Sequence, residues 1–482
     1  MLKEILTLTA LQLGQAIRGR EVSVPEVTRA ALDAARQDKH NSFITLCAEQ
    51  AMARAEGLQR HLSDAESPLY GVPTALKDNI CTRGVRTTCS SKMLEHFVPP
   101  YSATAAELLA NAGTVAIGKT NMDEFAMGCT GETSFFGSVK NPWDCDRSPG
   151  GSSSGSAAAV AAGTVPFALG SDTGGSVRQP AAHCGLTGIK PTYGTVSRYG
   201  LIAHASSLEQ IGPLCRDAAD CAAVLDAIQM HDRHDSTSLP GQYGSLLNSL
   251  TGDVRGLKIG LPAECFGEGL DDSVRRAVLA AADLLSCRGA IVKEFSFPLQ
   301  RYVVPAYYVL SCAEAGSNLA RYDGVKYGYR AQGCADLNQL YRKTRTEGFG
   351  SEVKRRILLG TFVLSDGYYD DYYKKASQAK TMIRAAYRTA LEQFDLLLTP
   401  VTPSAAPLLN CPTDPLRQYL GDVYTAGANL AGLPALSMPC GFDGRLPMGA
   451  QLIGRHFGEA VILNAAHAFQ LETDFHKRRC PA

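Results

Sequence analysis

The order of apolar and polar positions divides the chain into two textures. Residues 1–65 read as helical, with apolar positions at helical spacing. In the first twenty residues Lys3, Glu4, Gln12, Gln15 and Arg18 interrupt the apolar positions at helical intervals, which predicts an amphipathic helix and not a secretory leader. Ser23-Val-Pro-Glu26 is a capping box with proline in the first turn and predicts a helix through Ala35. From Tyr70 onward, short β-rich runs alternate with Ala-rich helices and Gly-rich turns. Gly71-Val-Pro-Thr-Ala-Leu76 predicts a strand that ends at Lys77. Thr104-Ala-Ala-Glu107 opens a helix that Gly113 closes, and Thr114–Ile117 is the next strand. An Ala-rich helix follows over Ser156–Ala162, then a strand over Thr164–Leu169.

Beyond a polar connection at 231–256 the alternation resumes with strand Leu257–Leu261, helix Asp272–Cys287 and strand Ile291–Phe295. Helices are predicted near Ala313–Arg321 and Glu352–Leu364 and over about Asp371–Phe394, then a buried strand over Phe394–Thr399. Leu436–Cys440 and Met448–Ile453 flank Phe442-Asp-Gly-Arg, the signature of a hairpin. The pattern predicts an α/β fold with a mixed, largely parallel central sheet covered by helices on both faces. We read one domain over 1–482: a helical layer at 1–65, a core at 70–215 and a C-terminal half at 257–482.

Composition narrows the function classes. The 47 basic and 47 acidic residues cancel, which argues against chain-wide attraction to nucleic acid or anionic membrane. No run approaches the roughly 18 apolar residues of a membrane span. Fifteen cysteines, an odd number with no C-x-x-C pair, fit neither a disulfide framework nor a zinc site. They are expected to be mostly buried small hydrophobes of a protein in the reducing cytoplasm.

Two motif matches fail on context. Gly113-Thr-Val-Ala-Ile-Gly118-Lys119-Thr120 fits the phosphate-loop pattern, but the residues between its glycines favour a strand. Gly151-Ser-Ser153-Ser-Gly155 fits the nucleophile elbow, but Asn141-Pro-Trp-Asp-Cys-Asp-Arg-Ser-Pro149 before it is no central strand. The elbow also needs a histidine base, and His183, His204, His456 and His467 stand in no distinctive setting.

Three segments carry candidate chemistry. Lys77 ends an apolar strand, Gly150-Gly-Ser152-Ser-Ser-Gly155 is a flexible loop opening a helix, and Ser171-Asp-Thr-Gly-Gly-Ser176 is a turn after a strand. Successive N–H groups at such a turn form an anion nest. They can stabilise an acyl oxyanion by about 3–4 kcal/mol per donor. A serine needs a base, and a buried lysine serves as one because burial disfavours its charge. Ser176 as nucleophile, Ser152 as relay and Lys77 as base is then a complete amidase constellation. Taken singly, each segment reads more simply as a solvated lysine or an ordinary turn.

Together the segments closely resemble the amidase signature family, whose Ser–cis-Ser–Lys triad falls here on Ser176, Ser152 and Lys77. The resemblance implies an oxyanion hole of N–H groups from Thr173, Gly174, Gly175 and Ser176, and a cis peptide between Gly151 and Ser152. Thr120-Asn-Met-Asp-Glu-Phe-Ala-Met-Gly128, Lys190-Pro-Thr-Tyr-Gly-Thr-Val-Ser-Arg-Tyr-Gly200 and Arg321-Tyr-Asp-Gly-Val-Lys-Tyr-Gly-Tyr329 are similar to the glutaminase branch of that family, the A subunits of tRNA-dependent amidotransferases. That likeness implies glutamine as amide donor, with Arg356 for its carboxylate, Asp422 for its amino group and Tyr307 lining the pocket. It implies B and C partner subunits in a heterotrimer, with ATP and Mg on a partner and no cofactor or metal in this chain. The misacylated tRNA, Glu-tRNA(Gln) and/or Asp-tRNA(Asn), is held mainly by the partner. Glu124 is assigned to the entrance of an ammonia channel. A stand-alone amidase of small or fatty amides shares the triad and stays open as the alternative, as does a catalytically silent binding protein.

Overall fold

The computed structural model describes residues 5–241, 243–411 and 418–481; Lys3 and Glu4 of the predicted first helix lie outside them. Eleven strands form one sheet: β1 (Phe43–Leu46), β2 (Pro73–Lys77), β3 (Val115–Thr120), β4 (Phe167–Asp172), β5 (Thr187–Lys190), β6 (Gln210–Cys215), β7 (Lys258–Pro262), β8 (Ile291–Phe295), β9 (Leu396–Pro400), β10 (Ala435–Asp443) and β11 (Leu446–Gly454). Their order is β1-β3-β2-β4-β6-β5-β10-β11-β9-β7-β8. Strands β2, β4, β5, β6 and β9 are buried at every position, so helices cover both faces.

The sheet is mixed, but the expectation that it is largely parallel needs correction. Four neighbouring pairs are parallel and six are antiparallel. The β10–β11 hairpin sits mid-sheet, where it pairs antiparallel with β5 on one side and β9 on the other. Strands β1, β5 and β6 were not expected. β1 is four half-buried residues inside the helical N-terminal layer, too short for a period to register.

Local signals mostly act as anticipated. Ser23 and Glu26 form the reciprocal box that starts the helix Val24–Arg36. Thr104 does not cap its helix, which spans Thr104–Asn111 with Ala103 at the cap. Its hydroxyl instead donates to the Asp232 carboxylate. Val115–Thr120 of the Gly113–Thr120 segment is strand, not phosphate loop, and Lys119 inside it is buried and donates to Thr87 at 3.0 Å. Three C-terminal helices lie over Val303–Asn318, Ser351–Leu364 and Lys375–Gln393; the first begins ten residues before its predicted start at Ala313. The polar helix Leu337–Gly348 was missed because it buries only Leu340, Thr344 and Gly348. Nine of the fifteen cysteines are buried, as small hydrophobes should be. Among the described residues no helix is long and apolar enough to cross a membrane.

Phe167 is fully buried on β4 in the large core. Phe167→Ala should lower stability by about 3–5 kcal/mol, read as a shifted urea midpoint at unchanged slope.

Candidate active site

Strand β2 lies between β3 and β4, parallel to both, and Lys77 is its last residue. Ligand sites form at such carboxyl ends of parallel strands. The Ser152 loop and the helix Ser154–Ala161 follow in space, and the Ser176 turn leaves β4 for the helix Arg178–Cys184. Lys77 Nζ donates to Ser152 Oγ at 2.8 Å and to the Ser171 carbonyl at 3.2 Å. Ser153 N–H donates to the Ser176 carbonyl at 3.1 Å, which ties the relay loop to the nucleophile turn. The Gly151–Ser152 peptide is cis. Among the described residues no hydrogen bond joins the Ser152 and Ser176 hydroxyls, so that link of the triad is not made in this structure.

The lysine is wholly buried. Burial lowers its pKa to about 7, against the pull of the Asp123 and Asp172 carboxylates. A large fraction is therefore neutral near pH 7, as a base requires. Burial holds His183 near pKa 4 and His204 well below the ordinary value, the latter with help from Arg356 and Lys77.

Asp172 organises the nucleophile turn. Its carboxylate accepts Gly175 N–H at 2.9 Å, Val177 N–H at 3.1 Å and the Arg178 guanidinium at 2.9 and 3.0 Å. Burial alone would raise its pKa, but the Arg178 charge and these bonds hold it well below the carboxylate range. Of the four N–H groups named for an oxyanion, that of Gly175 thus already has a partner. The two glycines are sterically required. A Cβ on Gly174 would meet the Tyr307 ring at 2.4 Å, and one on Gly175 would meet Thr425 Oγ1 at 2.3 Å, at a φ of +142°. Tyr307 therefore lies directly against the turn.

Arg356 is not the solvated cation its neighbours Lys354 and Arg355 suggest. It is buried, its Nε donates to Glu352 at 2.8 Å, and its guanidinium lies 5.1 Å from the Tyr308 ring centre and 5.5 Å from that of Tyr419. Those rings stack at 4.0 Å, and Tyr308 donates to Asp422 at 2.7 Å. Burial raises Asp422 to about pKa 6, although the Tyr308 bond and the Arg356 charge oppose it. Arg356 lines a cleft of about 290 Å³ with Cys129, Glu352 and Tyr419 among its walls. Glu124 is buried elsewhere. It accepts from Ser91 and, at 2.8 Å, from Gly350 N–H at the start of the Arg356 helix, and burial raises it to about pKa 7.

Reading the sequence missed several supports. Gln179 accepts Gly151 N–H at 3.2 Å and so holds the loop before Ser152. Asp123 Oδ2 accepts Gly131 N–H at 3.1 Å and lies where a Gly151 Cβ would stand, 2.0 Å away. Asp172 lies within the quoted motif and Arg178 two residues beyond it, but a pair six residues apart has no spacing signature. Among the described residues no group of three or more His, Cys, Asp or Glu side chains could hold a metal ion.

With this geometry in view, the comparisons with known proteins are decisive for family. A family profile described as Amidase matches residues 26–463. The chain belongs to the amidase family. The A subunit of glutamyl-tRNA(Gln) amidotransferase from Agathobacter rectalis is 54% identical over 473 residues, 97% of this chain and 94% of that protein. The crystal structure of the corresponding Thermotoga maritima protein, also a glutamyl-tRNA(Gln) amidotransferase A chain, is 39% identical with a TM-score of 0.79, covering 95% of this chain and 93% of that one. The peptide amidase of Stenotrophomonas maltophilia is 30% identical with a TM-score of 0.82, covering 98% of each chain. The chain is an amidase of mixed-sheet α/β fold, similar over nearly its whole length to amidotransferase A subunits.

Two outcomes follow for this amidase site. If Lys77 is the base, it works only when neutral; with burial lowering its pKa to about 7, amide-hydrolysis kcat/KM should rise through pH 7 and fall about tenfold per unit well below it. A profile flat from pH 5.5 to 8 contradicts Lys77 as base. Arg178→Met leaves Asp172 buried and unpaired, and should cost about 3–5 kcal/mol in urea unfolding.

Proposed function

We propose that this amidase hydrolyses the side-chain carboxamide of glutamine and hands the ammonia to a partner subunit. The partner, with ATP and Mg, amidates Glu-tRNA(Gln) and/or Asp-tRNA(Asn) and holds the tRNA. The reading takes the assembly as a heterotrimer with B and C subunits in the cytoplasm, with no cofactor in this chain. The observation that carries it is the linkage of buried Arg356 to Asp422 through Tyr308, beside a turn touched by Tyr307. Nε of Arg356 is spent on Glu352, which leaves the terminal nitrogens for a bidentate grip on an α-carboxylate. Asp422 complements the α-ammonium. The relatives named as glutamyl-tRNA(Gln) amidotransferase A subunits support an amidotransferase setting.

In the proposed reaction neutral Lys77 draws the Ser152 proton as Ser152 takes that of Ser176. Ser176 Oγ bonds to the amide carbon, and the oxyanion sits at the N–H groups of Thr173, Gly174 and Ser176, that of Gly175 being held by Asp172. Collapse breaks the C–N bond, the relay returns a proton to nitrogen, and ammonia leaves. Water then attacks the acyl ester by the same relay, which frees glutamate and Ser176. Glu124 is placed at the channel entrance in this reading; its bond to Gly350 N–H sets it beside the Arg356 helix.

The test is glutamine-dependent amidation of both misacylated tRNAs by the co-purified complex. Ser176→Ala should abolish glutamate release while ammonium salts still support amidation. Arg356→Ala and Asp422→Ala should each lower kcat/KM for glutamine about 10²-fold, within the roughly 2–5 kcal/mol of a lost buried charge partner. Their hydrolysis of a neutral amide such as propionamide should change little. Robust turnover of fatty amides by the chain alone, with Arg356 dispensable, would instead establish a stand-alone amidase.

A further inference from the structure

His204 belongs to no part of the mechanism above, yet its setting is unusual. The ring is 1% exposed. Both ring nitrogens are buried and, among the described residues, neither has a hydrogen-bond partner. Buried polar atoms are nearly always paired, with protein or with ordered solvent. An imidazole kept for packing would ordinarily retain one bond to a carbonyl or carboxylate.

The backbone around it runs across the active site. At one end, Leu201 bridges to Ile80, and Ile202 N–H donates to the Asn79 carbonyl at 2.9 Å, just past Lys77. At the other end, the Leu208 carbonyl accepts from Asn429 at 3.2 Å, and Asn429 also holds Asp172, next to the nucleophile turn. His204 lies mid-span. Its N–H is fixed by Glu209 at 3.0 Å, and its carbonyl by Asn318 at 3.1 Å, on the helix that carries Tyr307 and Tyr308. Burial, and then the positive charges of Arg356 and Lys77, disfavour protonation of the ring. A second orphaned atom, the side-chain oxygen of Asn79, stands on the segment to which this span is tied. The span that carries the imidazole is thus tied to the segment after Lys77, to Asn429 beside the nucleophile turn and to the tyrosine helix, with both ring nitrogens unspent.

We propose that the His204 imidazole binds a small neutral hydrogen-bonding molecule, the water consumed or the ammonia released at Ser176, and so acts as a positioning residue of the amidase site. A neutral imidazole offers one donor and one acceptor, which suits a molecule that both donates and accepts. A charged ring beside Arg356 and Lys77 would repel its neighbours and could not accept. The proposal rests on the amidase reaction but not on glutamine as substrate.

The test uses the full chain, alone and in its complex. His204→Phe keeps the bulk and removes both nitrogens; His204→Gln restores a donor and an acceptor. If water is the molecule held, the Phe variant should lose about tenfold in kcat for amide hydrolysis with KM changed less than twofold, and the Gln variant should recover most of it. Hydroxylamine, a nucleophile that needs no held water, should restore acyl-enzyme turnover in the Phe variant if water is the molecule held. If ammonia is held, glutamate release should persist while tRNA amidation from glutamine falls. Wild-type kcat and full coupling in the Phe variant would overturn the proposal, whereas an inactive wild-type chain and complex would instead count against the amidase reading. Should the Phe variant fold poorly, the wild-type protein decides. A crystal structure at atomic resolution should show ordered solvent within about 3.2 Å of a His204 ring nitrogen, and a protein atom or an empty apolar void there would refute the idea.

Discussion

The active site depends on one buried ion pair, Asp172 with Arg178. Each side chain is fully buried, and they meet at 2.9 Å. Desolvating two charges is costly, so such a pair adds little net stability by itself. What it adds here is definition. Asp172 ends β4 and gathers the N–H groups of Gly175 and Val177, so the turn that presents Ser176 is wound around its carboxylate. Arg178 starts the next helix and reaches the Thr425 carbonyl, Asn429 Oδ1 and Gln451 Oε1, at 2.9, 2.6 and 2.6 Å. The pair therefore fixes the local turn and docks the C-terminal half against it. Both tasks need every lone pair and N–H used, because a half-satisfied buried network is worse than an apolar one.

That docking joins two kinds of chemistry. Lys77, Ser152 and Ser176 come from the first half of the chain; Tyr307, Arg356 and Asp422 come from the second. Thr425 donates to the Gly174 carbonyl at 2.6 Å, three residues after Asp422 and one residue before the helix Ala426–Ala431. The substrate half is thus held to the nucleophile turn at the residue that Tyr307 also touches. A shift of the C-terminal half would move the pocket relative to Ser176, where about 1 Å of misplacement is already expensive in rate.

How much of this could be read beforehand depends on sequence distance. Lys77, Ser152 and Ser176 sit in contiguous Gly-rich motifs, so residue chemistry proposed them and family likeness made them specific. The strands flanking them were legible because β2, β3 and β4 are apolar runs bounded by turns. The partners of Arg178 lie more than 240 residues downstream, and no local pattern announces them. Sheet direction was misjudged for a related reason: β5 and β6 are short and buried on both faces, so they lack the alternation that marks a strand. Family likeness, not spacing, singled out Arg356, because only the fold decides which of three adjacent cations turns inward. His204 looked ordinary because an orphaned nitrogen is a property of space, not of sequence.

Burial also bears on substrate choice. The same low-dielectric surroundings that favour neutral Lys77 hold Arg356 beside the Tyr308 ring and Asp422 at the hydroxyl of that tyrosine. An α-amino acid amide complements both at once, carboxylate to guanidinium and ammonium to carboxylate. An aliphatic amide of equal volume would cover them with methylene groups and leave buried polar groups short of partners, which costs several kcal/mol. The pocket thus discriminates less by what it attracts than by what it penalises. Under the proposed function, the relay and the nucleophile would define an amidase of broad competence, which the second half of the chain would narrow to zwitterionic substrates.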